Sequence, residues 1–427
     1  MAVLRDLRVL LRLRGFRRLL AVRLLSQSAD GVYQVALATY VVFSPERQSS
    51  PAAIASAMAV LLLPYSLIGP FAGVLLDRWR RRQVLLYGNL LRAVLASGTA
   101  LLIIAGVPDW LFYASALSVT AVNRFVLAAL SAALPRVVDS DRLVVANALS
   151  PTVGTLAATA GGGLAFAVRL AGSDSDAVTV LLGAGLYLCA ALAALRMARG
   201  LLGPDPELVR PRLREALGNT TQGLTAGLRH LAERHVAARA LAAMTLMRFC
   251  YGALTVMVLM LCRYAWSNSE SHGLALLGLA VAASGAGFFA AAVVTPWAVD
   301  RLRTATRLSP DVQVRWVIVC SAAAAVLEPG LGLPFEPAPM LVAAFVLGLI
   351  TQGAKIATDT VVQTSVDDGF RGRIFSLYDV LFNVAFVAAA GVAALMLPPD
   401  GHSPLLVVTV ALLYAATAVA TSRSWPA

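Results

Sequence analysis

"GVLLDRWRRRQ" (residues 73–83) is a short polar interruption between two long apolar runs, and its reading decides the fold. A carboxylate, Asp77, is followed at once by Arg78, and Arg80, Arg81 and Arg82 come directly after. The flanking runs, near 52–76 and 83–106, are each long enough to cross a hydrocarbon core of about 30 Å as a helix. They are continuously apolar rather than alternating. Lipid admits only helices and closed barrels, so this pattern predicts two membrane-spanning helices joined by a basic turn.

Further spans of the same kind are expected near 19–43, 110–134, 144–170, 177–197, 237–262, 273–298, 314–333, 338–362, 374–398 and 403–422. With the first two they make twelve. The weakest is 314–333, which contains Arg315, Glu328 and Pro329. The chain of 427 residues is 59% hydrophobic and 14% charged, whereas a soluble domain is about 25% charged. An all-α polytopic membrane protein is therefore predicted.

The net charge of +12 raises the question of a nucleic-acid partner, and its distribution answers it. If the N-terminus is cytoplasmic, the outer loops hold only three basic residues, Arg47, Arg169 and Arg263. This is the positive-inside pattern, which predicts that both termini are cytoplasmic. The charge orients the chain in the lipid bilayer, and no nucleic acid is expected. The first 18 residues mix arginine with leucine and lack the uninterrupted apolar core of a cleavable signal. They read as a basic amphipathic helix on the inner leaflet. Cys189, Cys250, Cys262 and Cys320 fall in or at the ends of apolar spans, with spacing that suits neither a metal site nor a disulfide framework.

The organisation predicted is a surface helix over 1–18, a six-helix bundle over 19–197, a cytoplasmic segment with an amphipathic helix over 198–236, and a second six-helix bundle over 237–427. An internal repeat supports the division. The loop after the eighth span, "PWAVDRLRTAT" (296–306), places Asp300-Arg301 223 residues after Asp77-Arg78. The loops after spans four and ten also correspond, with Asp139 opposite Asp367. Parallel repeats of this kind put a substrate site between the halves near the midplane.

On these residues the chain resembles the major facilitator superfamily of secondary transporters. The family's second-to-third loop signature is matched at Gly73, Leu75, Asp77, Arg78, Arg81 and Arg82, and departs at Leu76 and Arg80. The loops "LPRVVDSDRLVVANALSPTVGT" and "VQTSVDDGFRGRIFSLYDVLFNVAF" resemble bacterial exporters of the macrolide- or siderophore-expelling kind. The resemblance implies a latch. Asp77 would cap the eleventh span's helix, expected to begin near Gly372–Ile374, while Arg78 reaches Asp379. By the repeat, Asp300 and Arg301 would act likewise toward the fifth span. An ordinary charged turn remains the alternative.

Charges at midplane depth mark candidate sites, because each costs about 2.5–3.5 kcal/mol even on insertion scales. Asp30 lies in the first span, Arg124 beside Asn123 in the fourth, and Arg248 in the seventh. Asp30 and Arg124, at like depth on helices that line the cavity in this superfamily, are expected to face each other. Asp30 is then the candidate proton carrier, with a permanently ionised helix-locking pair as the other reading. Gln27, Tyr33 and Gln34 add possible substrate contacts. Lys355, the sole lysine beside 34 arginines, has Asp359 one helical turn away in the tenth span. That pair is read either as a self-neutralising pin or as part of the cavity.

No nucleophile elbow, phosphate-cradling loop or metal-ligand spacing is present, so no enzyme, cofactor or metal is expected. The resemblance implies a monomeric transporter in the bacterial inner membrane, exporting amphipathic small molecules against protons. The arginines favour an anionic or zwitterionic substrate. An exporter or flippase for one siderophore or lipid, and a non-transporting sensor or assembly factor with the same fold, are the alternatives.

Overall fold

The computed structural model describes residues 2–37, 79–106, 109–170, 175–203, 220–266, 270–305 and 312–423. Every regular element among them is helical: α1 Ala2–Arg12, α2 Arg14–Leu37, α3 Arg81–Ala105, α4 Asp109–Ala133, α5 Leu143–Leu170, α6 Asp176–Leu195, α7 Thr220–Glu233, α8 His235–Met260, α9 Glu270–Ala305, α10 Val312–Gly332, α11 Pro337–Ser365, α12 Asp368–Met396 and α13 Pro404–Arg423. Ten helices among the described residues are long and apolar enough to cross a membrane. Helix α2, which carries Asp30, covers the first expected span as far as Leu37, and the expected second span lies outside the described residues. Leu101, Ile104, Val326, Leu395 and Leu412 stand exposed on these helices, which is where lipid would meet them.

Local chemistry sets the helix ends. Gly106 adopts a left-handed conformation (φ 59°) and returns its N–H to the Ile103 carbonyl, closing α3. Ser403 accepts the Leu406 N–H at 3.2 Å just before Pro404, which starts α13 where a missing N–H does no harm. A π-turn over Leu261–Ala265 prolongs α8.

Three boundaries differ from the sequence expectation. The surface helix gives way to the first span at Leu13 rather than at residue 18. The stretch 296–306, expected as a loop, is helical through Ala305, with Pro296 inside α9. Thr304 bonds back to the Arg301 carbonyl at 2.8 Å and Arg301 lies over the Trp297 ring, so the polar residues are absorbed into the last turns. Helix α12 starts at Asp368, ahead of the expected Gly372–Ile374, with an acid in the first turn where the helix dipole favours one.

The described helices fall into two compact units. One holds the chain up to Glu233 together with Val366–Val380, and the other holds Arg234–Ser365 together with Leu381 onward. Helix α12 is thus divided after Val380. In the first unit α2 packs on α5 and α6, and α3 on α4 and α6. In the second, α11 packs on α8, α9 and α10, and α13 on α8 and α10. The α2–α5 contact is backbone-close: a methyl group at Gly31 would strike the Ala158 carbonyl, and one at Gly161 the Ser28 carbonyl.

Candidate functional site

Helix α2 brings Asp30 into the interior of the first unit, where it is buried. Its counter-charge comes from α3. Arg92 Nη1 sits 2.7 Å from Asp30 Oδ1 and 3.0 Å from Asn123 Oδ1. Arg92 Nη2 donates to Asn89 Oδ1 at 2.6 Å and also to Ser26 Oγ. The Tyr187 hydroxyl of α6 donates to Asp30 Oδ1 at 2.6 Å, and the Tyr187 ring lies against the guanidinium with 4.3 Å from Cζ to its centroid. Four helices therefore converge on one ion pair, and Arg92 is fully buried. One oxygen stays outside this web: Asp30 Oδ2 is sealed from solvent and has no hydrogen-bond partner among the described residues. Beside it, Tyr33 shares a hydrogen bond with Thr99 at 3.2 Å, and Thr99 one with Ser115 at 2.7 Å.

A second cluster lies at the start of α12. Arg81 is fully buried and donates to Asp368 Oδ1 at 2.9 Å, to the Asp368 carbonyl at 3.1 Å, and to the carbonyls of Ala132 and Leu202. Arg136 takes the other carboxylate oxygen at 2.7 Å, and Arg371 donates to Oδ1 at 2.6 Å. The Arg81 N–H bonds to the carbonyl of Gly203, a residue at φ 70° where a Cβ would crowd Arg136 and Asp368. Arg82 donates to the Ala194 and Leu195 carbonyls at the C-terminus of α6. Helix α7 joins the cluster through His230, whose ring stacks on Phe370 at 4.3 Å and accepts the Asp367 N–H at 3.5 Å.

The second unit carries two further charged features. Lys355 Nζ donates to Asp359 Oδ2 at 2.6 Å along α11, with Asp359 buried and Lys355 about 30% exposed. Arg248 is ringed by Phe382 and Phe386, each 4.2 Å from its Cζ, and by Tyr251 at 5.0 Å.

The sequence profile described as Major Facilitator Superfamily matches residues 19–390. The chain belongs to the major facilitator superfamily. Uncharacterized MFS-type transporters of Mycobacterium bovis and Mycobacterium tuberculosis are each 35% identical to it over 405 residues, covering 94% of this chain and 89% of theirs. Among solved structures, a bacterial homologue of the iron transporter ferroportin in an outward-facing state aligns with a TM-score of 0.69 at 16% identity, over 96% of this chain and 100% of that one. The human organic anion transporter aligns at 0.67 and 15%, over 95% and 99%. The Escherichia coli fucose:proton symporter aligns at 0.66 and 15%, over 96% and 98%. At such identities these likenesses speak for the fold.

As a member of the superfamily, the chain is a membrane transporter and not an enzyme. The expected Asp30–Arg124 pair is corrected: the ion pair is with Arg92, a residue the sequence reading passed over. Arg124 stays within electrostatic range of Asp30 and lies 3.9 Å from Asp379, both partly exposed. Asn123 joins the Asp30 web through Arg92. Gln27 accepts from Arg23 at 3.0 Å on its own helix, and Gln34 is exposed. Gly73, Asp77 and Arg78 lie outside the described residues. Asp300 and Arg301 are exposed at the end of α9.

Arg92, Asn89, Tyr187 and Asp368 were missed. Arg92 carried a usable signal, an arginine inside the apolar stretch "GNLLRAVLAS" (88–97), because intramembrane charge is a functional hypothesis by default.

Proposed function

We propose that the chain is a proton-coupled exporter of amphipathic small molecules, anionic or zwitterionic, working by alternating access in the bacterial cytoplasmic membrane with both termini cytoplasmic. The single observation that carries this reading is the unpartnered Asp30 Oδ2 beside a fully bonded Oδ1. A proton taken at Oδ2 neutralises the carboxylate and weakens its hold on Arg92. The guanidinium edge so loosened can take a substrate carboxylate or phosphate, and return of Arg92 to Asp30 expels both proton and anion. Arg124, Arg248 and Lys355 supply further positive charge for such a substrate.

Asp368, with Arg81 and Arg136, acts in this reading as a latch that holds the start of α12 in one state and releases it in the other. Gly73, Asp77, Arg78 and Asp379 belong to the same device, and Asp300 with Arg301 to its repeat. Residues 1–18 lie on the inner leaflet, and 198–236 connects the bundles 19–197 and 237–427.

The test uses proteoliposomes holding a pH-sensitive dye under an imposed pH gradient, challenged with amphipathic anions, zwitterions and lipophilic cations. An anion or zwitterion is expected to collapse the gradient, and Asp30→Asn to abolish the response. Response to cations alone would overturn the substrate class. Transport of a compound with no proton movement would overturn the coupling.

A further inference from the structure

The second unit holds a buried acid that the mechanism above does not use. Glu328 lies in α10, 4% exposed, four residues before the helix ends at Gly332. Its Oε1 is sealed from solvent without a hydrogen-bond partner, and Glu328 makes no ion pair among the described residues. Beside it, within electrostatic range, is Tyr414 of α13, fully buried, whose hydroxyl donates to the Met247 carbonyl of α8 at 3.4 Å. Thr351 of α11 also adjoins Tyr414, and its buried Oγ1 has no hydrogen-bond partner.

The internal repeat gives this arrangement its meaning. Tyr187 and Tyr414 both follow a leucine at mid-helix in the last helix of their halves, both are fully buried, and they stand 227 residues apart. That separation is close to the 223 between the two Asp-Arg pairs. In the first unit the tyrosine sits between an acid and an arginine, Asp30 of α2 and Arg92 of α3. In the second, the helix that corresponds to α3 is α10, and it offers the tyrosine an acid in place of the arginine. The one half satisfies its buried carboxylate with a counter-charge, and the other half leaves its carboxylate without one.

The charges on the helices around α10 are engaged elsewhere or remote. Lys355 of α11 is on Asp359, and Arg248 of α8 is ringed by aromatic side chains. Arg315 of α10 itself is 13 residues away, about 20 Å along the helix. Asp300, Arg301 and Arg303 cluster in the last turns of α9, and Arg423 ends α13. The titratable groups that adjoin Tyr414 are Cys250 and Tyr251 of α8. A lone carboxylate in such surroundings is far costlier ionised than as the neutral acid, which needs only one donor–acceptor contact.

We propose that Glu328, with Tyr414 beside it, is a second proton-binding site, built into the C-terminal half and independent of Asp30. The proton is held as O–H on the Glu328 carboxyl, and its loss leaves a carboxylate for which the Tyr414 hydroxyl is the nearest donor. Loading and release of this proton would make the cycle's proton count exceed what Asp30 alone carries.

The test is infrared spectroscopy of the full-length protein in proteoliposomes across neutral pH, which needs no substrate. The carbonyl stretch of a protonated carboxylic acid is expected in wild type, lost in Glu328→Gln, retained in Asp30→Asn, and shifted in frequency in Tyr414→Phe. Retention in Asp30→Asn separates this site from the coupling role given to Asp30. Glu328→Gln mimics the neutral acid and is expected to purify like wild type. If it does not fold, the frequency shift in Tyr414→Phe decides. Absence of the band in wild type, its survival in Glu328→Gln, an unshifted band in Tyr414→Phe, or its removal by sodium ions at constant pH would overturn the proposal.

Discussion

Replacing Arg92 by methionine removes the counter-charge of Asp30 while keeping most of the side-chain volume. Asp30 is buried and Arg92 wholly so, leaving little solvent to screen the charge left behind. Breaking such a pair by removing one partner costs about 3–5 kcal/mol. Asn89 and Asn123 each lose the donor they accept from, and one oxygen left dry adds about 1–3 kcal/mol. Arg92→Met is therefore expected to cost at least ~3 kcal/mol, a large part of the whole when folded proteins are stable by only about 5–15 kcal/mol. In the double variant Asp30→Asn/Arg92→Met no charge is buried, so it should be more stable than Arg92→Met alone. Reversible unfolding in mixed micelles, followed by circular dichroism as denaturing detergent is titrated in, measures both terms in a double-mutant cycle. If Arg92→Met stays within about 1 kcal/mol of wild type, or the double variant costs the sum of the singles, the ion pair is not what joins these helices.

Arg81→Ala strips Asp368 of a buried charge-assisted donor. At about 1.5–3 kcal/mol per such bond, the balance between transporter states should shift by roughly 10- to 150-fold, read from spin-label distances. Arg124→Ala breaks only a long, partly exposed contact and should shift that balance by less than about 1 kcal/mol. Gly31→Ala forces α2 away from α5 and should destabilise by about 1–3 kcal/mol in the same unfolding assay, whereas Gly163→Ala, with open space around it, should be neutral or slightly stabilising. Along α11, Lys355→Met should cost more than Asp359→Asn, because the aspartate left behind is buried and the lysine left behind is about 30% exposed. Equal losses for the two would contradict that asymmetry.

The spans were legible because lipid imposes one rule on every residue of a crossing helix, and the basic turn at 77–82 made topology and repeat readable together. Partner choice was not legible. Asp30 and Arg124 sit at similar depth, yet depth does not say which helices touch. Arg92 reaches Asp30 from α3 at a point where Tyr187 of α6 also arrives, a convergence that only packing reveals. The start of α12 was misplaced because "DDGFRGR" (367–373) reads as a polar loop. Its arginines and aspartate instead satisfy one another across the first helical turn, and Arg81 and Arg136 complete the set from elsewhere in the unit. In α9, Pro296 suggested a break, but a helix accepts one proline where neighbouring turns hold.

The central claim is that Asp30 carries the proton that drives transport. Its most direct test compares, for one transported compound, exchange at equal pH with accumulation under a pH gradient, in proteoliposomes of wild type and Asp30→Asn. The account predicts that Asp30→Asn still exchanges the compound but no longer accumulates it against its gradient. Undiminished gradient-driven accumulation in that variant would contradict it.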